Sequence, residues 1–267
     1  MRRNRILQLL NDNRGASRDF RVQGSADGAE ATVYLYDMIV SDDWWGGVSA
    51  QAFVHALSGI TANTIHLRIN SPGGDVFAAR AIETALRGHS AKVIAHVDGL
   101  AASAASFVML AADEVEITDG AFVMIHKAWS LSVGNEDDHR ETADLLGVVD
   151  ASLVRTYAKE TGQDEGDISQ WMAAETWMSA TEAVERGFAD RIAGDGGSAR
   201  ASAWNLSAYD RAPNAAHAQT PPRGPAAFSP PEPLPETPPE PKPVPKASAD
   251  APDMAAMRRR LELAQRS

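Results

Sequence analysis

A serine and two glycines are the residues of this chain best suited to do chemistry. Residues 70–74 read Asn-Ser-Pro-Gly-Gly, and residues 99–106 read Gly-Leu-Ala-Ala-Ser-Ala-Ala-Ser. Gly73 and Gly74 lack a Cβ, so the backbone N–H groups there can face a negative oxygen at close range. Ser103 lies among small residues that leave its hydroxyl accessible. A hydroxyl nucleophile beside bare N–H groups is what acyl transfer at a carbonyl requires.

A serine hydroxyl is a weak nucleophile at neutral pH and needs a base. His126 is the best placed of the seven histidines because it ends the apolar run Phe-Val-Met-Ile-His. A carboxylate must then orient the imidazole, and Glu175 in Ala-Ala-Glu-Thr-Trp-Met-Ser-Ala is the candidate. Lys127 offers an alternative base. Because adjacent residues of a strand face opposite sides, His126 and Lys127 cannot both point at Ser103.

The flanking sequence predicts strands that end close to these residues. Three short runs are typical of strands: 32–36, 65–70 and 92–97. Helical spacing of apolar residues predicts a helix over 75–88, and a second helix is expected over 102–112 after a turn at Gly99. Two successive βα units imply a parallel sheet. Ligands bind at the carboxyl ends of such strands, where Gly74 and Ser103 both fall.

The rest of the body continues the alternation of strands and helices. Further elements are expected as strands over 114–117 and 122–126, a long helix over 136–162, and a closing strand over 188–193. Ser179 and Glu182 have the spacing of a capping box at a helix start, and Gly187 ends that helix.

The proline distribution separates a globular body from a tail. The chain has 267 residues, 44% of them hydrophobic, and all but one of its fifteen prolines lie between Pro213 and Pro252. The sequence therefore predicts a basic N-terminal arm over 1–29, a body over 30–195, a disordered Pro-rich linker over 196–253 and a short helix over 254–267.

Charge and composition argue against several kinds of partner. A net charge of −11 disfavours nucleic acid, and the absence of cysteine excludes disulfides and a cysteine nucleophile. The apolar start of the chain ends at Asn11, too early for an export signal, and the longest apolar stretch contains His96 and Asp98. We therefore expect no membrane partner and a cytoplasmic setting. Without a GK[ST] loop or a clustered ligand set, no metal, nucleotide or organic cofactor is expected.

Four motifs carry a resemblance to a known family. They are Asn70-Ser-Pro-Gly-Gly74, Gly99-x-Ala-Ala-Ser103, Met124-Ile-His126 and Ser179-Ala-x-Glu-Ala-Val-Glu-x-Gly187-x-x-Asp190. In this order, over about residues 30–193, they resemble the ClpP-type serine peptidases. The resemblance implies an α/β, ClpP/crotonase-like fold of repeated ββα units with a parallel sheet.

The resemblance also implies a role for each site residue. Ser103 is the nucleophile and His126 the base, while the N–H groups of Gly74 and Ala104 form the oxyanion hole and Gly73 lines the substrate site. The family usually has aspartate where this chain has Glu175, the proposed third triad member. It usually has methionine in place of Ala104, where a backbone N–H does the work.

The chain ends suggest a narrower relationship. The basic N-terminal segment, Glu-Thr-Trp-Met-Ser-Ala, and the Pro-rich tail ending in a charged helix resemble the ClpP-related head-maturation proteases of tailed bacteriophages. That resemblance implies a scaffold or capsid protein of an assembling prohead as substrate. It also implies self-association into a homo-oligomeric ring, with residues 136–162 as the subunit contact.

Two other functions remain open from the sequence. A crotonase-type acyl-CoA enzyme would share the fold and the paired N–H groups, but would need neither Ser103 nor His126. A catalytically idle assembly protein would use the fold and tail as a scaffold partner, and Ser103 would then have no chemical role.

Overall fold

The computed structural model describes residues 4–16, 18–42, 46–194 and 204–213. All of them belong to one compact unit. The helices are α1 (Arg5–Asp12), α2 (Ala50–Ser58), α3 (Val76–Gly88), α4 (Ala104–Met109), α5 (Glu136–Thr161), α6 (Glu165–Ala173) and α7 (Ala180–Glu185). The strands are β1 (Asp19–Gly24), β2 (Glu30–Tyr36), β3 (Ile39–Val40), β4 (Val48–Ser49), β5 (Thr64–Ser71), β6 (Lys92–Ala102), β7 (Glu114–Ile117), β8 (Phe122–Ile125), β9 (Thr176–Ser179) and β10 (Arg191–Ile192).

A largely parallel sheet organises the unit and confirms the predicted α/β class. Its order is β1-β2-β5-β6-β7-β10, and β8 adds to the end of β6 with β9 beyond it. The β1–β2 and β8–β9 pairs are antiparallel, whereas the other pairs of this sheet are parallel. The alternating buried side chains of β2 and β5 pack with α2, α3 and α4 in the main hydrophobic core.

The predicted turn at Gly99 was wrong, because β6 continues to Ala102 and α4 begins only at Ala104. The strand extends because it has two successive partners. Its residues 94–97 pair with β7, and residues 100–102 pair with β8. The extension carries Ser103 to the end of a strand that lies beside β8, the strand that precedes His126.

The ends of the body differ from the boundaries drawn from the sequence. The predicted N-terminal arm contains α1 and β1, and β1 pairs with β2 across six residue pairs. Residues 204–213, assigned to the linker by composition, pack with α1 in a second apolar cluster. The predicted closing strand is reduced to β10, because the N–H groups of Phe188 and Ala189 bond back to the Ala183 carbonyl. The rest of the predicted linker, 196–203 and 214–253, and the predicted helix 254–267 lie outside the described residues.

Candidate active site

Ser103 lies at the junction between β6 and α4 in a strained backbone conformation. Its φ of 53° and ψ of −124° belong to a region that residues other than glycine rarely adopt. The Ser103 N–H donates to the Met124 carbonyl in β8 at 2.8 Å, and its carbonyl accepts from the Ser106 N–H at 2.9 Å. These bonds fix a sharp strand-to-helix turn, which places the Ser103 side chain at the carboxyl edge of the sheet.

His126 directly follows β8 and contacts the serine, as the sequence predicted that a base must. Only 2.7 Å separates His126 Nε2 from Ser103 Oγ. When Nε2 carries no proton, the hydroxyl donates to it, which is the ground-state arrangement for general-base activation of a serine. The pairing of β8 with the end of β6 brings the two residues together.

The surroundings of His126 keep its imidazole neutral. The side chain is buried, and the rings of Trp129 and Tyr209 pack edge-on against it with centroid distances of 4.5 and 5.5 Å. Burial, with a smaller contribution from the positive charge of Arg5, lowers the pKa of His126 to about 3. The imidazole is therefore free to accept a proton at neutral pH.

Replacing His126 by glutamine is expected to reduce the loss of stability on acidification. In the folded chain His126 stays neutral down to about pH 3, whereas in the unfolded chain its ordinary pKa of 6.5 applies. The unfolded state binds the extra proton between these values, so the wild type should lose about 2 kcal/mol more unfolding free energy than His126→Gln from pH 7 to pH 5. Urea unfolding at both pH values measures this, and equal losses in the two proteins would contradict it.

The glycine turn lies directly against the nucleophile. Gly73 and Gly74 have φ values of 92° and 147°, which favour glycine. A Cβ on Gly73 would lie 2.8 Å from Ser103 Cβ and 3.0 Å from the Ala104 nitrogen. A Cβ on Gly74 would lie 1.8 Å from the Ile39 carbonyl oxygen. Both positions therefore require a bare backbone.

The backbone N–H groups of Gly74, in the glycine turn, and of Ala104, at the start of α4, take no part in the hydrogen bonds between strands. Gly74 forms a parallel bridge with Ile39, but its two hydrogen bonds use the Gly73 carbonyl at 2.9 Å and the Asp75 N–H at 2.8 Å. Ala104 is the first residue of α4, where an N–H has no acceptor within the helix. Neither the bridge to Ile39 nor the helix α4 therefore uses the Gly74 or Ala104 N–H group.

The Glu175 carboxylate bonds to the C-terminal part of the described chain. No hydrogen bond joins the Glu175 and His126 side chains in the described part of the chain. The buried Glu175 carboxylate instead accepts the backbone N–H groups of Asp210 at 3.1 Å and Arg211 at 2.7 Å, and the Arg5 guanidinium lies 3.9 Å away. The structure therefore brings two of the three expected triad residues together and ties the third to the C-terminal segment.

Four other titratable or nucleophilic side chains lie outside the Ser103–His126 pair. Lys127 is exposed. Ser106 is buried, and its hydroxyl donates to the Ser103 carbonyl at 2.6 Å and lies 2.7 Å from the Tyr157 hydroxyl. His66 and His96, on neighbouring strands, hydrogen-bond to each other at 2.9 Å. Within the described ranges, no cluster of three or more side chains is arranged to bind a metal, and no helix is long and apolar enough to cross a membrane.

The sequence of the chain matches a known protein family over the part that forms most of the sheet and the Ser103–His126 pair. The model of the Clp protease family matches residues 31–196, which is more than half of the chain. The chain belongs to the Clp protease family. Membership confirms the family resemblance seen in the four motifs and agrees with the parallel-rich α/β fold.

Several curated relatives of this Clp protease chain are proteolytic subunits. It is 33% identical over 131 residues to the ATP-dependent Clp protease proteolytic subunit 2 of Treponema denticola, covering 48% of this chain and 66% of the relative. It is 29% identical over 155 residues to subunit 2 of Mycolicibacterium paratuberculosis, covering 57% and 77%. The chain therefore spans just under two thirds of the Treponema protein and about three quarters of the mycobacterial one.

Two parts of this Clp protease chain reach the site although sequence reasoning did not connect them with it. They are α1 and residues 204–211. Arg5 of α1 places its guanidinium over the Trp129 ring at 5.3 Å, and Tyr209 packs on both Trp129 and His126. The sequence offers weak signals for them: an apolar repeat near the N-terminus, and two aromatic residues in an otherwise small and polar stretch.

A cavity of about 420 Å³ opens beside Ser103 and His126. Much of its wall is formed by apolar side chains of α1, α3 and α5 and of the loop before α5, among them Leu7, Leu10, Phe77, Leu131 and Leu145. Phe77, Leu131 and Leu145 are exposed large hydrophobic residues. The cavity has the size and lining to take a bulky apolar side chain next to the serine.

Proposed function

We propose that this chain is a serine endopeptidase that cleaves peptide bonds through an acyl-enzyme. The observation that carries the proposal is the 2.7 Å contact between Ser103 Oγ and His126 Nε2, at a sheet edge that faces the Gly73–Gly74 turn. The Treponema and mycobacterial relatives, which are named as proteolytic subunits, support the same activity.

In the acylation step, the Ser103 hydroxyl attacks the carbonyl carbon of the scissile bond while its proton passes to His126 Nε2. The Gly74 and Ala104 N–H groups hold the oxyanion, and losing one such donor typically lowers the rate by about 10² to 10³. His126 then gives the proton to the leaving amine as the C–N bond breaks. The acyl group remains on Ser103 as an ester.

In the deacylation step, a water molecule takes the place of the amine. His126 removes its proton as the water oxygen attacks the ester carbonyl, and the same two N–H groups bind the second oxyanion. The intermediate collapses, the proton returns from His126 to Ser103, and the new carboxyl end of the peptide leaves.

Glu175 is the third member of the triad in this proposal. The register of β8 and β9 supports it: Ile125 pairs with Thr176, so the next positions in the two directions are His126 and Glu175. Residues opposite each other at the end of an antiparallel pair are near neighbours. A glutamate there can orient the imidazole once its carboxylate turns from the Asp210 and Arg211 N–H groups toward His126.

A fluorophosphonate probe tests the nucleophile directly. We expect it to label the wild type on the peptide that contains Ser103 and to leave Ser103→Ala unlabelled. Ser58→Ala is the matched control, because it removes an exposed serine hydroxyl on α2 that bonds to the His55 carbonyl, away from the site. Labelling of Ser103→Ala at the wild-type level would exclude the proposed mechanism.

We further propose that the substrate is a scaffold or capsid protein of an assembling phage prohead. The basic N-terminal segment and the Pro-rich tail, which resemble those of phage head-maturation proteases, support this substrate. The test is to co-express the capsid protein of the same genome with the wild type or with Ser103→Ala. The capsid protein should be shortened only in cells that contain the wild type. Identical intact masses in the two cultures would contradict it.

We infer that the chain acts as a homo-oligomeric ring. The relatives are named as subunits, and the long helix α5, the expected subunit contact, exposes Leu145 and Val148. Mass photometry should find an oligomer for the wild type and a smaller species for Val148→Asp. A monomeric wild type would contradict the inference. The acidic net charge gives no support to a nucleic acid partner.

A further inference from the structure

Residues 204–211, called the clasp below, bind to the glycine motif beside the nucleophile. The Trp204 indole N–H donates to the Asn70 carbonyl at 3.1 Å, and the Tyr209 hydroxyl donates to the Pro72 carbonyl at 2.6 Å. Both acceptors belong to the segment that forms the turn in front of Ser103. The clasp therefore anchors to the backbone that a bound peptide must approach.

The clasp also buries a row of its own side chains over the site. Trp204, Leu206, Ala208 and Tyr209 are all buried, and they share an apolar cluster with side chains of β6 and β8. The exposed residues 205 and 207 alternate with the first three, and the exposed residue 210 follows Tyr209, so one face of the clasp packs on the enzyme body. Tyr209 reaches furthest, since it lines the cavity beside Ser103 and packs edge-on against His126.

The clasp holds the expected triad carboxylate. The N–H groups of Asp210 and Arg211 donate to the two oxygens of Glu175, and the Trp177 indole N–H donates to one of them at 3.3 Å. These three hydrogen bonds stabilise the present orientation of the carboxylate and oppose its rotation toward His126. The register of β8 and β9 ends at the Ile125–Thr176 pair, and His126 and Glu175 are the residues that adjoin this pair in the two chain segments.

Helix α1 and Asn13 bind the clasp through hydrogen bonds and an ion pair. Asn13, just after α1, exchanges two hydrogen bonds with the backbone of Asn205, at 2.7 and 2.9 Å. Arg5 forms an ion pair with Asp210, and Gln8 hydrogen-bonds to Ser207 at 3.0 Å. Contacts along the whole length of α1 therefore tie the two ends of the described chain together over the site.

We propose that the clasp is an internal inhibitor that keeps this peptidase latent: it covers His126 with Tyr209 and withholds Glu175 through the Asp210 and Arg211 N–H groups. Release of the clasp lets Glu175 bond to His126 and removes Tyr209 from the wall of the cavity beside Ser103. The inference rests on the proposed function. The alternative is a permanent structural role for the clasp. In that case the Asp210 and Arg211 N–H groups would position Glu175 for catalysis, and losing them would slow the enzyme.

Removing a single backbone N–H separates these two roles. Arg211→Pro removes the N–H that donates to Glu175 at 2.7 Å, while Arg211→Ala keeps that N–H and removes only an exposed side chain. Hydrogen bonds to charged groups are the stronger ones, so we expect fluorophosphonate to label Ser103 roughly 10- to 100-fold faster in full-length Arg211→Pro. Arg211→Ala should label at the wild-type rate.

A second substitution assigns the gain to Glu175. If the released carboxylate acts on His126, the double variant Arg211→Pro/Glu175→Gln should be labelled at least about tenfold more slowly than Arg211→Pro. Tyr209→Phe provides a milder release, because it removes the hydrogen bond to Pro72 and keeps the ring. It should label several-fold faster than the wild type, and it serves as the deciding variant if Arg211→Pro does not fold by circular dichroism.

The outcomes distinguish the inference from the proposed function. Faster labelling of Arg211→Pro or Tyr209→Phe than of Arg211→Ala supports an inhibitory clasp. Equal or slower labelling of the released variants, with Ser103 labelled in the wild type, overturns the clasp and leaves the peptidase in place. Absence of Ser103 labelling in every variant overturns the proposed function and this inference with it.

Discussion

The double variant Ser103→Ala/His126→Ala is expected to cleave peptide no more slowly than Ser103→Ala alone. Each single substitution should lower kcat/KM by roughly 10⁴-fold or more, because residues that act as one unit lose nearly everything when either is removed. The 2.7 Å contact between Oγ and Nε2 is the physical reason: without the hydroxyl, the imidazole has no proton to take. The activity that remains should come from the Gly74 and Ala104 N–H groups and from substrate binding.

A fluorogenic peptide with a bulky apolar residue before the scissile amide is the appropriate substrate, given the apolar cavity beside Ser103. Ser58→Ala and His139→Ala are matched controls, since Ser58 lies exposed on α2 and His139 lies exposed on α5. Both should retain activity. If the losses of the two single variants multiplied in the double variant, Ser103 and His126 would be acting independently and the proposed mechanism would be wrong.

The local part of the site was accessible from the sequence because each of its signals is local. A strand, a glycine pair and an amphipathic helix follow one another from β5 to α3, and the structure has them within two residues of the expected bounds. The same holds for α5, whose left-handed cap at Gly162 ends it where the pattern ends. His126 could be chosen because it terminates an apolar run, although the contact with Ser103 depends on pairing between distant strands.

The features that the sequence did not predict depend on contacts between distant parts of the chain. Nothing near Gly99 indicates that β6 changes partner from β7 to β8, and a glycine followed by small residues is typical of a turn. The clasp was assigned to the linker because the prolines that follow dominate the composition. Its Trp204 and Tyr209 are bound by carbonyls more than 130 residues away, which no local pattern encodes.

Gly73→Ala is expected to lower kcat/KM by roughly 10² to 10³ while the chain still folds. The added methyl group would lie 2.5 Å from the Ala102 carbonyl oxygen and 2.8 Å from Ser103 Cβ. Backbone at the end of β6 must therefore shift, and Ser103 with it. Displacing a nucleophile by about 1 Å is enough to cost about 10²-fold in rate, because acylation needs the hydroxyl, the carbonyl and the N–H donors in one geometry.

Gly120→Ala separates this contact from backbone strain. Gly120 has a φ of 84°, close to the 92° of Gly73, but an added Cβ there would meet nothing within 4 Å. Both variants should lose about 1 to 2 kcal/mol of unfolding free energy from the left-handed backbone. Only Gly73→Ala should lose peptidase activity, measured as kcat/KM beside urea unfolding. If both variants lost activity equally, the glycine turn would matter only for folding; if neither did, the close approach of this turn to Ser103 would have no part in catalysis.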